Sequence, residues 1–175
     1  SLPIQGEILL TQEPEESIVM CTPFRKKAHF YYNQKINCLR AEGSVTVRSR
    51  RYDFTPDTAF GVLDWGRGVW PYRNTWYWGS ASGETDGVPF GFNIGYGFGD
   101  TTAATENALI YDGKLHKLSR VSFNIPRRAG QFDYLSPWSF TSDDNRFDMD
   151  FQPILDRAAN MDVKLLKREQ HQIFG

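Results

Sequence analysis

Residues 60–83 read FGVLDWGRGVWPYRNTWYWGSASG, and residues 87–100 read GVPFGFNIGYGFGD. The second stretch decides the fold class. Successive side chains of a strand point to opposite faces. Phe90, Phe92, Ile94, Tyr96 and Phe98 therefore share one face, and Gly91, Asn93, Gly95, Gly97 and Gly99 share the other. A strand that is large on one face and nearly bare on the other uses glycine in one of two ways. It lets a backbone or ligand come close, or it permits strong curvature. The first stretch carries four of the chain's five tryptophans, with Asp64, Arg67, Tyr72, Arg73 and Asn74 set among them. Together the two stretches read as the walls of a cavity, with the rest of the chain as its scaffold.

Outward from there the pattern stays β. Ser1–Leu10 ends in an apolar run, Gln12–Glu16 is a turn, and Ser17–Thr22 is a strand stopped by Pro23. Gly43 divides INCLRAEGSVTVRS into two short strands, and Val45 and Val47 alternate with polar residues. Phe60–Trp65 is a strand broken by Gly66-Arg67-Gly68, and Asn74–Ser82 is another. Asp112-Gly113 turns a hairpin between Glu106–Tyr111 and Lys114–Ile125. Asp143-Asp144-Asn145 turns a second, between Leu135–Ser142 and Arg146–Phe151, where Phe147, Met149 and Phe151 alternate with polar residues. Pro153–Asn160 has room for one helical turn, and Val163–Glu169 is the last complete strand. Many short strands with turn signals every dozen or so residues indicate an all-β sandwich or barrel.

The chain has 175 residues, enough for one domain, and a formal net charge of −1. That balance argues against a nucleic-acid surface, which needs clustered Lys and Arg. The short basic runs at Arg48, Arg50 and Arg51, and at Arg127 and Arg128, read as solvated loops. Aromatic residues make up 15% of the chain and follow no helical stripe, so they line a large sheet core or a pocket. A disulfide between Cys21 and Cys38 is possible on parity, but two lone cysteines in strands read more readily as buried, reduced thiols, in keeping with a cytoplasmic protein. No apolar run is long enough to cross a membrane as a helix.

His29, His116 and His171 lie far apart and the cysteines lack CxxC spacing, so no metal site is expected. No cofactor motif is present either, since no helix follows the glycines of residues 95–99. The candidates that remain are acids and their neighbours. Asp64 with Arg67 is either a carboxylate acting as a general acid among aromatics or an ion pair bracing the Gly66–Gly68 turn. Glu106 is a second acid of this kind, or a strand-end cap. Tyr72 joins Arg67 as a group able to stabilise charge. Trp70, Asn74, Trp76, Trp78, Asn93 and Tyr96 are the candidate ligand contacts, and their rings serve equally well as core.

The motifs LDWGRGVWPYRNTWYWGSASG, FGFNIGYGFGD, TENALIYDGKLHKL, PWSFTSDDNRFDMDFQPILDR and QHQIFG, in that order, resemble the bacterial family called domain of unknown function 2804. The likeness runs from about Phe30 to Gly175, and CTPF earlier in the chain fits too. It marks Asp64, Trp65, Arg67, Trp70, Asn74, Trp76, Trp78, Asn93, Glu106, Asn107, Trp138 and Arg146 as family positions without giving them roles. It implies an antiparallel lipocalin-like (calycin-type) barrel, or a strongly curved and incomplete sheet. It also implies that residues 1–175 form one barrel-like domain, a central-to-C-terminal piece of a longer two-domain protein. Distant relatives of that type include carotenoid hydratases. Three functions are therefore expected: binding of an apolar or amphipathic small molecule, acid-catalysed hydration or isomerisation of a double bond, or a structural half-barrel that packs on a missing region or a second copy.

Overall fold

The computed structural model describes residues 3–11, 14–163 and 166–175, with no account of the Leu166 side chain. Parts of the expected first strand, of the Gln12–Glu16 turn and of the Val163–Glu169 strand lie outside the described residues. The described chain is all-β and its sheets are antiparallel. They do not close into a barrel, so the curved or incomplete sheet is the form observed. The chain divides into two compact units, residues 1–119 and 120–175.

The first unit contains β1 (Ile4–Thr11), β2 (Ile18–Pro23), β3 (Phe30–Val47), β4 (Arg50–Phe54), β5 (Phe60–Val69), β6 (Tyr77–Thr85), β7 (Val88–Tyr96), β8 (Ala108–Tyr111) and β9 (Lys114–Lys117). Its first sheet is organised by β3. The strands β2 and β5 both pair with Phe30–Lys35, and β1 and β4 both pair with Gly43–Val47. A strand has two edges, so β1 and β2 share one edge of β3 while β4 and β5 share the other. The second sheet runs β6-β7-β8-β9. Its Asp112-Gly113 turn forms as expected, both residues having positive φ (49° and 74°), the geometry a two-residue type I′ turn requires, but the second arm ends at Lys117 and does not run on to Ile125.

Three sequence expectations change here. Gly43 does not divide β3, which runs unbroken for 18 residues. Its irregularity is a bulge at Asn37-Cys38, where Cys38 takes φ 60° and the register to β5 slips without ending the strand. Gly66-Arg67-Gly68 does not end β5, because Gly66 lies under the Tyr31 ring and a Cβ there would overlap it. Asn74–Trp76 precede β6, whose first residue is Tyr77. Cys21 is exposed, Cys38 is buried, and both are free thiols.

The second unit contains β10 (Val121–Asn124), β11 (Arg127–Arg128), β12 (Gln131–Phe132), β13 (Trp138–Ser142), β14 (Asp148–Phe151), β15 (Leu155–Val163) and β16 (Leu166–Phe174). β13 is the centre of a three-stranded sheet, β10-β13-β14. Trp138 and Phe140 are buried on one face, against Phe123 and Phe151 at centroid distances of 4.7–6.1 Å. The segment expected to make a helical turn instead enters the β15–β16 hairpin. There Asp156 accepts a 2.8 Å hydrogen bond from His171, whose ring stacks on Tyr134. No helix among the described residues is long and apolar enough to cross a membrane.

Candidate functional site

The two sheets of the first unit meet across a polar interior. Period-two alternation places Tyr31, Asn33 and Lys35 on one face of β3. Asp64, Gly66 and Gly68 lie opposite Lys35, Asn33 and Tyr31 on β5. The second sheet turns Trp78, Ser80 and Ser82 of β6, and Asn93 of β7, toward them. The bulge is where the sheets touch most closely. Asn37 Nδ2 donates to Ser80 Oγ (2.8 Å), the Ala81 carbonyl (3.0 Å) and the Phe92 carbonyl (2.9 Å). The Cys38 N–H donates to Ser82 Oγ at 2.9 Å.

The glycine face of β7 receives this contact. A Cβ on Gly91 would stand 2.8 Å from Cys38 Sγ, and one on Gly95 would stand 3.0 Å from Glu106 Oε1. At these two positions glycine makes room for the protein's own side chains, whereas the sequence leads one to expect a backbone, a ligand or curvature around a cavity. Burial pushes the Cys38 thiol above the usual cysteine range, against the lowering effect of its hydrogen bonds and of Arg40.

Lys35 is the charged centre. It is only 4% exposed, yet its Nζ lies 2.5 Å from Asp64 Oδ1 and 3.5 Å from Glu106 Oε2. Its ammonium also stands 5.1 Å from the Trp78 ring centroid. A buried cation needs such partners, since leaving water costs several kcal/mol, roughly, per ion. Trp78 Nε1 donates to Asn93 Oδ1 at 2.8 Å, and Asn93 Nδ2 donates to the Glu106 carbonyl (3.0 Å) and to its Oε2 (3.3 Å). Asn107 accepts from the Gly95 N–H at 2.6 Å and donates to the Ser119 carbonyl at 2.8 Å. Two acceptors of this interior are left over: Asn33 Oδ1 and Asn37 Oδ1 are buried without a donor among the described residues.

Beside the charges stands an aromatic group centred on Phe98. Tyr31, Trp70 and Trp76 meet it edge-on at 4.9, 5.8 and 5.6 Å, and Tyr31 also meets Trp70 at 5.9 Å. Burial, then the negative charges of Asp64 and Glu106, push the Tyr31 phenol up to about 12. It therefore stays protonated and able to donate a hydrogen bond. Trp70 and Trp76 are about half exposed (47% and 51%), Trp78 is 40% exposed and Asp64 37%, so the cluster has an open side.

The candidates separate cleanly. Asp64, Glu106, Trp78 and Asn93 converge on Lys35, and Trp70 and Trp76 stand beside them through Phe98 and Tyr31. Arg67 does not pair with Asp64, because an odd spacing on a strand puts it on the opposite face, across from Tyr32. Tyr72 is 70% exposed in the segment before β6. Asn74 donates to the Pro71 carbonyl and so closes a turn. Tyr96 stacks on Tyr77 at 4.8 Å, on the face of β7 opposite Asn93. An open depression of about 380 Å³ by Arg40, Pro56, Asp57 and Glu84 includes none of these candidates. Lys35, Tyr31, Asn33 and Asn37 were not singled out in the sequence. Their one signal is the alternation Tyr-x-Asn-x-Lys-x-Asn from Tyr31 to Asn37, which looks like a solvated face until the second sheet is seen to cover it. Among the described residues no group of His, Cys, Asp and Glu is placed to hold a metal ion.

Over residues 1–175 the chain matches the family described as Domain of unknown function (DUF2804), and it belongs to that family. No curated protein and no solved structure matches it.

Proposed function

We propose that the chain binds an amphipathic small molecule, its polar end at the Lys35–Asp64–Glu106 cluster and its apolar part against Trp70, Trp76 and Trp78. The observation that carries this reading is the pairing of half-exposed tryptophans with a charged group whose outer member, Asp64, is also partly open. Large rings left exposed beside converging polar groups are characteristic of small-molecule sites. Titration with a neutral fluorescent probe, N-phenyl-1-naphthylamine, tests it. The expected result is a saturable enhancement that weakens about tenfold or more in the Trp70→Ala, Trp76→Ala double variant, the scale of losing an aromatic anchor. A linear, unsaturable response would end the reading.

Acid-catalysed hydration or isomerisation of a double bond is the second reading. The protonated Tyr31 phenol beside two carboxylates supports it. It ranks second because Asp64 and Glu106 both face the Lys35 ammonium instead of standing as isolated acids in an apolar pocket. Arg67 and Tyr72 are not among the residues gathered at Lys35, so Tyr31 takes the donor's part in this version.

A further inference from the structure

The face of β3 turned away from the Lys35 cluster is a surface of its own. Direct neighbours in an antiparallel pair share a face. Phe30 therefore lies between Pro23 of β2 and Val69 of β5, Tyr32 between Cys21 and Arg67, and Gln34 between Val19 and Trp65. Val19, Phe30, Tyr32, Trp65 and Val69 are each more than a third exposed, and the Tyr32 and Trp65 rings meet edge-on at 6.0 Å. The patch stops at Ile36, which is buried. Single exposed apolar residues are ordinary, but five on adjoining positions of one face mark a contact surface. Its charges are one-sided. Arg67 is the charged residue of the patch, and Arg25, Lys26 and Lys27 stand exposed in the turn from β2 to β3, as does Arg73 after β5. Phe98 holds both segments to this end of the sheet, meeting Phe24 at 5.3 Å and Trp70 at 5.8 Å. Across residues 18–36, 63–76 and 97–100 the acids are Asp64, turned inward to Lys35, and Asp100, which accepts from Thr102. With Asp64 paired to Lys35, five exposed cations are left with one carboxylate, and none of the five is in an ion pair among the described residues.

We infer that this end of the sheet rests on an anionic lipid surface, with Phe30, Tyr32 and Trp65 at the headgroup boundary and the five cations on its phosphates. Tryptophan and tyrosine favour that boundary because each has an apolar body and a polar tip. Arg67 lays its stem along the apolar patch and keeps its guanidinium at headgroup level. Every lysine or arginine close to an anionic leaflet adds attraction, and apolar burial with electrostatic attraction together set the strength of interfacial binding. A second copy stacked face to face would bury Arg67 twice with no carboxylate on either patch, and an unpaired buried charge is costly. The patch lies on the opposite face of β3 from Tyr31, Asn33 and Lys35, so lipid contact here is independent of the amphiphile reading.

Co-sedimentation of the full chain with extruded vesicles tests this, using phosphatidylcholine alone and an equal mixture of phosphatidylcholine and phosphatidylglycerol. The chain is expected to bind the anionic vesicles at least about tenfold tighter than the neutral ones, and to lose that advantage in about 1 M salt, where the screening length falls to about 3 Å. Lys26→Glu combined with Lys27→Glu, both in an exposed turn, should weaken binding to the anionic vesicles by about tenfold or more. Trp65→Ser should weaken it by about the same factor and leave its salt dependence in place. The turn variant remains informative where Trp65→Ser fails to fold. Equal binding to both vesicles, binding to neither, or binding that survives both sets of substitutions would overturn the lipid assignment. So would a dimer in sedimentation equilibrium that Trp65→Ser dissolves, since a second copy would then be what covers the patch.

Discussion

Between the two sheets of the first unit lie a lysine, a glutamate and four asparagines. Under the three-stranded sheet of the second unit lie Phe123, Trp138, Phe140 and Phe151. The two interiors are held by different physics. Each large ring buried in the second contributes roughly 1.5–3 kcal/mol by leaving water, with no demand on direction. The groups buried in the first contribute little net stability, because each hydrogen bond replaces one to water. They demand geometry instead: Asn37 reaches three acceptors on the second sheet, and Asn93 links Trp78 to Glu106. A ring core tolerates imperfect packing at modest cost. A polar interior is penalised wherever a partner is missing, as at Asn33 Oδ1 and Asn37 Oδ1, which have no donor among the described residues.

The strongest way to break this contrast is to truncate each centre. Phe140→Ala should lower stability by about 3–5 kcal/mol, the usual cost of emptying a buried aromatic position. Lys35→Ala should cost about 3–5 kcal/mol as well, because it removes the buried ammonium that both Asp64 and Glu106 face. Urea unfolding measures both, and probe titration of the folded fraction separates them: Phe140→Ala keeps its affinity and Lys35→Ala loses it. Equal effects on affinity would erase the distinction between the two interiors.

A smaller effect probes how closely the sheets of the first unit approach. Gly91→Ala places a methyl 2.7 Å from the Ala81 carbonyl oxygen and 2.8 Å from Cys38 Sγ. It should destabilise by about 1–3 kcal/mol, the range for overpacking. The same substitution at Gly83, which has nothing within 4 Å, should be nearly neutral. Comparable unfolding midpoints for the two variants would mean that the glycine face is not in contact.

The least perturbing test is pH. Tyr31 holds its proton up to about 12 when folded and releases it near 10 when unfolded. The unfolded state therefore binds fewer protons between those values, so this contribution to stability is whole below pH 10 and is lost as pH rises toward 12. Absorbance at 295 nm, taken as the difference between the wild type and Tyr31→Phe, should show one late-titrating phenol. In Asp64→Asn its midpoint should move down toward 10. An unmoved midpoint would place Tyr31 away from the carboxylates.

Much of the fold was legible because it is local. The Asp112-Gly113 turn, the alternation at Phe147, Met149 and Phe151, and the two-faced strand from Phe90 to Tyr96 each state their conformation within a few residues; the expected face does not continue to Phe98, because Gly97 and Gly99 take positive φ and Phe98 packs against Tyr31, Trp70 and Trp76. Errors arose where a distant contact overrode a local signal. Gly66 and Gly68 read as breakers, but Gly66 stays in β5 because the Tyr31 ring crosses it. The Asn74 segment read as a strand, but its side chain closes a turn on Pro71. Half of the site was legible for the same reason. Trp78, Asn93, Asp64 and Glu106 stood out by type, whereas Lys35 sat in a polar alternation that any exposed strand would show.

The sequence by itself determined that this chain is β, with hairpins at turns such as Asp112-Gly113, and which side chains share each strand face, since the first follows from turn chemistry and the second from a two-residue period. Only the tertiary structure decided what each face meets. Lys35 joins Asp64 across a strand pair and Glu106 across the sheets, and the glycine face of β7 closes on Cys38, because partners far apart in the chain are chosen by packing and not by spacing.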